Sequence, residues 1–275
     1  MGCTRRGGLA VSAAPLWDCV RVEPHESLEQ RLRAAGITQP AHAVDAWRRL
    51  RAIEGPGATI IDLYELAARP RGLRAPDLPA EERHALARAV MPDVWPGFET
   101  TDGSERSGDL IAVVDYDPTW PGQYQAWQRE IRTALGTAAA RIDHVGSTSV
   151  PGLPAKAIID VQVSVSDLAN EDSYVPPLEK LGLQLRSRDA HHRYFRPYPR
   201  RPRNIHVHVC AAGSDWEADH LRFRDYLRTH PDACNRYAAA KRAAAATWAD
   251  DGLAYTDAKT EVILNILQSA AEEAR

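Results

Sequence analysis

The chain has 275 residues, of which 44% are hydrophobic and 26% charged, with a formal net charge of −3 at pH 7. This composition supports one large domain or two small ones, and it lacks the basic surplus of a generic nucleic-acid binder. No apolar run approaches the roughly 18 residues of a membrane helix, and no apolar segment follows Arg5 and Arg6 as a secretory signal requires. Cys3, Cys19, Cys210 and Cys234 show no paired spacing, so a reducing cytoplasm is the expected setting, with no membrane partner.

Residues 1–15 are small, basic and aperiodic and read as a disordered tail. Residues 28–35 and 41–53 read as helices, the second with Val44, Trp47, Leu50 and Ile53 on one face. Gly55-Pro56-Gly57 ends it. A further helix is expected over 60–68, and another opens at Leu78-Pro79-Ala80-Glu81-Glu82, runs to Val90 and breaks at Pro92. Residues 16–99 thus form a small all-helical module without a G-x-x-x-x-G-K-[ST] phosphate loop. It suits packing or dimerisation, so a homo-oligomer through these helices is expected, with substrate gating as the other reading. Residues 100–109 are polar and Gly/Ser-rich, a linker.

In 110–275, strands are expected over 110–116, 141–145, 157–165, 183–186, 194–195 and 204–210. Helices are expected from the Asp117-Pro118 turn to Leu135, over 176–181, and over 215–229, 232–249 and 256–271. Strands with interspersed helices, then a helical C-terminal bundle, indicate an α+β domain.

The chemistry concentrates around Gly146-Ser147-Thr148 and Asp160. A Gly-Ser turn lets backbone N–H groups approach a phosphate, and an acid inside the following apolar strand can hold a divalent cation. Alternation puts Asp160 and Gln162 on one strand face, and His206 and His208 on one face of theirs. Two imidazoles at that spacing suit one cation or a phosphate, and would favour Mn²⁺ or Zn²⁺ over Mg²⁺. His144, just before the turn, is either a third nitrogen ligand or a brace for the turn. Lys156 can meet a phosphate as a point charge.

The segment 186–203 is dense in cations: Arg186, Arg188, His191, His192, Arg193, Arg196, Arg200, Arg201 and Arg203, with Tyr194, Phe195 and Tyr198 between them. Such a loop clamps phosphates and stacks a base, with Arg193 the first candidate, or is a solvated hairpin. Arg222 and Arg224 cannot share a helical face, so one of them is expected to look into the cleft. Tyr237 and Lys241, at i and i+4, share one and can take a base and a phosphate; Lys259 is a similar candidate.

The run His144-Val145-Gly146-Ser147-Thr148-Ser149-Val150-Pro151-Gly152-Leu153-Pro154-Ala155-Lys156-Ala157-Ile158-Ile159-Asp160 resembles the GrpB family. Ile205-His206-Val207-His208, the helical run from Leu221 to Arg228, Tyr237 with Lys241, and Tyr255-Thr256-Asp257 with Lys259 continue the resemblance to the C-terminus. Similar domains occur fused to dephospho-CoA kinases. The resemblance implies a nucleotidyltransferase-like mixed sheet flanked by helices. It implies a metal held by Asp160, His206 and His208, with His144 as a further candidate and Gln162 standing where a second carboxylate is usual. It also implies a nucleoside triphosphate, ATP or another, cradled by Gly146, Ser147, Thr148, Lys156, Arg193, Arg224, Tyr237, Lys241 and Lys259. The expected activity is nucleotidyl transfer to a small-molecule acceptor, with carboxylate activation for ligation as one form of it. A non-catalytic nucleotide- or phosphometabolite-binding module and a His/Asp metal-dependent enzyme on a phosphorylated substrate are the alternatives.

Overall fold

The computed structural model describes residues 27–37, 42–94, 97, 99–100 and 110–274. The expected tail at 1–15, Cys3, Cys19 and residues 101–109 of the expected linker lie outside them. Four helices come first: α1 (Leu28–Ala34), α2 (Ala43–Glu54), α3 (Ile60–Ala68) and α4 (Ala80–Val94). Ser27 with Gln30, and Thr59 with Asp62, form reciprocal caps that start α1 and α3. Arg31 of α1 binds Glu54 of α2 (2.8 Å) and Asp62 of α3 (2.8 and 2.9 Å), which fixes the three helices together. α4 passes Pro92 instead of stopping at Val90, its last turn held by Arg48 of α2 through Asp93 (2.9 Å) and the Ala89 carbonyl (3.2 Å).

The sheet follows. β1 (Glu99–Thr100) is a short edge, then come α5 (Trp120–Leu135), β2 (Ala139–Val145), β3 (Ile159–Val165), α6 (Val175–Lys180), β4 (Leu183–Arg188), β5 (His192–Pro197) and β6 (Ile205–Ala211). The strand order is β1-β4-β5-β6-β3-β2, with β3 and β6 parallel and every other pair antiparallel. This is an α+β fold whose mixed sheet is flanked by helices. One face carries Ile159, Val161, Val163, Phe195, Ile205, Val207 and Val209 against Trp120 and Ile131 of α5 and Leu178 of α6. Residues 110–116, expected as a strand, run extended but make only one bridge, Val114 with Ala155. Pro154 beside that partner residue has no N–H to continue a ladder.

The other face is covered by α7 (Asp215–Thr229), α8 (Pro231–Thr247) and α10 (Thr260–Glu273), which share a core with Val150, Leu153 and Cys210. The helix expected over 256–271 is two helices, because Asp251 caps a separate α9 (Gly252–Asp257) through the N–H groups of Leu253 and Ala254. The N-terminal helices pack on this end of the same chain, where Trp47, Leu50 and Tyr64 share a core with Ala244, Trp248, Ala254 and Tyr255. Tyr64 donates to Asp251 (3.0 Å), the Ile61 N–H donates to Asp257 (3.1 Å) and Arg83 donates to Asp250 (2.6 Å).

Candidate functional site

Register decides which side chains meet. In the β3–β6 ladder Asp160 stands opposite His206, and Gln162 opposite His208. The odd-numbered neighbours fill the core against α5, so Asp160, His206 and His208 project from the other face. One ligand atom from each of these three residues lies within 4.8 Å of those of the other two. His206 Nδ1 is 3.2 Å, and His208 Nε2 3.9 Å, from Asp160 Oδ1. These spacings fit one ion whose bonds to nitrogen and oxygen are about 2.1 Å.

Burial alone would raise the Asp160 carboxyl, but the hydrogen bond with His206 and the nearby His208 imidazole outweigh it and hold the acid well below its usual range. Burial lowers His206 to about 4 against the opposing pull of Asp160. Near neutral pH the pair is therefore a carboxylate beside a neutral imidazole, the forms a cation needs. Arg203 Nε donates to His206 Nε2 (3.3 Å), so the His206 proton sits on Nδ1, facing Asp160. Holding a cation through Nδ1 would move that proton to Nε2 and release Arg203 from His206.

Gly146 sits at φ +66, and a Cβ there would come within 2.4 Å of Asp160 Oδ2. The turn therefore presses its backbone against the acid, which only glycine permits. Behind the turn, Thr148 donates to the Ile158 carbonyl (3.2 Å) and shares a 3.0 Å hydrogen bond with His144 Nε2. The Ser147 hydroxyl lies beside the Tyr237 phenol, which burial raises to about 12.

Three lysines approach from the helical side. Lys241 is buried, its Nζ 2.5 Å from the Pro154 carbonyl and 5.3 Å from the Tyr237 ring centre. The Nζ of Lys259 is 3.8 Å, and that of half-buried Lys156 5.0 Å, from the Tyr255 ring centre. Burial lowers Lys156, and lowers Lys241 to about 7. Lys259 falls well below its ordinary range by burial and by repulsion from the other two. All three feel the Asp160 carboxylate. That single carboxylate does not offset the burial of three clustered lysines, and a phosphate chain would restore their charge.

Several expected site residues lie elsewhere. His144 pairs with Val161, not Asp160, so it faces α5, where it stacks on Tyr124 at 4.6 Å. It is outside the metal cluster, and its Nε2 is spent on Thr148. Thr148 likewise offers no free hydroxyl. Arg193 binds Glu171 (2.5 Å) and the Asp189 carbonyl (2.5 Å), away from the lysines. Arg224 pairs with Asp225 (2.7 Å) and donates to the His144 carbonyl (3.1 Å), while Arg228 holds the Ser149 carbonyl (2.8 Å). These two arginines brace the turn from α7. Gln162 shares the face of Asp160 but is fully buried, its amide nitrogen 3.5 Å from the Glu217 carbonyl of α7.

Tyr255 is a wall of the site that the sequence reading missed, although Tyr255 and Lys259 repeat the i, i+4 spacing of Tyr237 and Lys241. Tyr194 is another. Its ring centre is 5.2 Å from those of both His206 and His208.

The family model for GrpB protein matches residues 110–269. A UPF0157 protein of Halalkalibacterium halodurans is 39% identical over 160 residues, covering 58% of this chain and 82% of that protein. A UPF0157 protein of Pseudomonas aeruginosa is 40% identical over 186 residues, covering 66% and 76%. A dephospho-CoA kinase of Mycolicibacterium paratuberculosis is 35% identical over 164 residues, covering 49% of this chain and 39% of the kinase. Among solved structures, the conserved protein GrpB from Enterococcus faecalis matches with a TM-score of 0.54 at 29% identity, over 59% of this chain and 99% of that one. No helix among the described residues is long and apolar enough to cross a membrane. Its fold, its ordered motifs and a family model spanning more than half of its residues agree, and the chain belongs to the GrpB family.

Proposed function

We propose that this chain transfers a nucleotidyl group from a nucleoside triphosphate to a small-molecule acceptor with the help of a divalent cation. The observation that carries the reading is the convergence of Asp160, His206 and His208 within 4.8 Å, beside Lys156, Lys241 and Lys259. Asp160, His206 and His208 would hold the ion, which when bound neutralises charge on phosphoryl oxygens. Two nitrogen donors in three favour Mn²⁺ or Zn²⁺ over Mg²⁺.

The three lysines meet the β- and γ-phosphates as point charges, and the N–H groups of the Gly146-Ser147-Thr148 turn face the same phosphates. The acceptor's nucleophile bonds to the α-phosphorus as the bond to the bridging oxygen breaks and pyrophosphate leaves. The protein's contribution is position and charge. A carboxylate nucleophile would leave as a mixed anhydride, the activated form for ligation.

One feature favours a second reading, a nucleotide-binding module without turnover. Gln162 stands where a second acid would hold a second cation, and its amide is committed to Glu217. Relatives named dephospho-CoA kinase match over less than half of their length (39–46%), consistent with a domain appended to other machinery. Pyrophosphate release from ATP, CTP, GTP and UTP with Mg²⁺, Mn²⁺ or Zn²⁺ separates the two, with acceptors drawn from metabolites that co-purify with the protein. Release that depends on Asp160 supports transfer. Tight nucleotide binding without release, across all acceptors, leaves the module.

A further inference from the structure

Within the cation-rich 186–203 segment, Arg186 carries buried donors that no neighbouring group meets. It is 4% exposed, on β4 at the bulge between Leu185 and Ser187. Its Nη1 donates to Gln184 Oε1 (2.9 Å), while its buried Nε and Nη2 have no hydrogen-bond partner. Arg188 and Arg193, by contrast, share Glu171 at 2.9 and 2.5 Å. Beyond burial, which lowers Arg186, the groups acting on it are the Tyr194 phenol and the like charge of Arg203. A desolvated guanidinium beside another cation is costly to hold unless something completes it.

The side chain lies on the working face of the sheet. Ser187, the next residue, pairs with Tyr194, whose ring sits 5.2 Å from His206 and from His208. Arg203 connects the two regions through its bond to His206. The Asp160 cluster is therefore flanked by cations on both sides: the lysines toward the helices, and Arg186 toward β4.

We infer that Arg186 binds a carboxylate of the acceptor substrate. This rests on the reading of the Asp160 cluster as a transfer site. The unpartnered Nε–Nη2 edge presents two parallel N–H donors, the fork that matches the two oxygens of a carboxylate. A singly charged carboxylate is also cheaper to desolvate there than a multiply charged phosphate, which the lysines accept as point charges. β4 and β6 are separated by β5, so the two subsites are about 10 Å apart across the sheet. That span suits a molecule of amino-acid or hydroxy-acid size, with its carboxylate at Arg186 and a second group at the cluster. A carboxylate clamped on the fork is neutralised, so it serves as the handle and the second group is the nucleophile. Because the fork is closed to solvent, the ligand reaches it only as neighbouring side chains move aside.

The test titrates acetate into wild type, Arg186→Lys, Arg186→Met and Lys241→Ala, with acetamide as the uncharged control and chloride holding ionic strength constant. Binding is read calorimetrically, and the Arg186 Nε–H resonance by NMR in wild type. Acetate should bind wild type and Lys241→Ala and shift that resonance, and acetamide should do neither. Arg186→Lys should weaken acetate at least about tenfold, since a point charge replaces two parallel donors. Arg186→Met should abolish acetate binding and raise the melting temperature, because an orphaned cation leaves the interior. Inorganic phosphate should show the reverse, weakened in Lys241→Ala and kept in Arg186→Met. The inference is overturned if acetate leaves the resonance unmoved, binds Arg186→Met as it binds wild type, or competes with phosphate for the lysine site. Should Arg186→Met fail to fold, the wild-type resonance and Arg186→Lys decide. Acetate binding at Arg186 in a protein that never binds a nucleotide would spare this site and remove the transfer reading; nucleotide turnover with acetate unbound does the opposite.

Discussion

Gly146 and Asp160 are packed so closely that a methyl group on the glycine would overlap the carboxylate, at 2.4 Å from Oδ2. The turn and the acid therefore form one rigid unit, and the acid is held where His206 and His208 reach it. Gly146→Ala should displace Asp160 as well as strain a left-handed backbone. A stability loss of about 1–3 kcal/mol is expected from the backbone alone, together with weakened divalent-cation binding. Calorimetric melting and a Mn²⁺ titration check both; an alanine variant with wild-type Mn²⁺ affinity would show that the contact positions nothing.

Lys241 should make anion binding pH-dependent. Burial lowers it to about 7, so the free protein loses this cation as pH rises through about 7, and phosphate affinity should fall over the same range. Bound phosphate restores the proton, so titrations near pH 8 in buffers of different ionisation enthalpy should reveal proton uptake. The stability effect has the opposite sign. Above about 7 the unfolded chain binds more protons than the folded one, so this residue makes stability rise with pH up to the ordinary lysine range. Lys241→Met should therefore stabilise the protein more at pH 6 than at pH 9, and equal gains at both pH values would count against a depressed lysine.

The N-terminal helices should matter to the site although they contribute no residue to it. Tyr255 belongs to the core they share, and its ring carries Lys156 and Lys259. Asp257, two residues on, receives the Ile61 N–H, and burial raises it to about 6. A raised carboxyl stabilises in its protonated form, and this contribution is lost as pH rises through about 6. Asp257→Asn should therefore flatten the melting profile between pH 4 and 6 and hold or raise stability at pH 7. Tyr64→Phe removes the bond to Asp251 and should cost about 1 kcal/mol, with weaker phosphate binding if α9 loosens. Phosphate affinity that ignores both substitutions would limit the helices to packing.

Arg224 should behave as a brace. Arg224→Ala removes the Arg224 donor from the His144 carbonyl and one of the two arginines paired with Asp225, which should cost about 1–3 kcal/mol while phosphate affinity in the folded protein stays near wild type. Lys259→Ala should show the opposite pattern. Equal phosphate losses in the two variants would return Arg224 to the anion site.

Much of this arrangement was legible because strands have a strict period. Alternation in 159–165 and 205–211 puts Asp160 on one face and His206 with His208 on one face without any coordinates. What alternation cannot supply is which strands are neighbours: β6 lies beside β3 only after the chain has built β4 and β5 outside it. Which of the two readings of His144 holds, ligand or brace for the turn, could not be decided from the sequence for the same reason. Its side depends on the antiparallel register with β3, including an irregularity between Ala139 and Arg141. Arg193 and Arg224 look like free cations in a sequence because the groups that occupy them are distant along it. Glu171 lies 22 residues from Arg193, and the His144 carbonyl 80 residues from Arg224. Arg186 has the converse history. It was one arginine among many until its burial and its unpartnered edge set it apart.

The most direct measurement is Mn²⁺ binding by electron paramagnetic resonance to the wild-type protein and to Asp160→Asn, His206→Gln and His208→Gln, with folding confirmed by circular dichroism. A shared three-residue site predicts one Mn²⁺ per chain in the wild type and a loss of at least about tenfold in affinity in each variant. Wild-type protein that binds no Mn²⁺ and no Zn²⁺, or folded variants that bind as tightly as wild type, would contradict it.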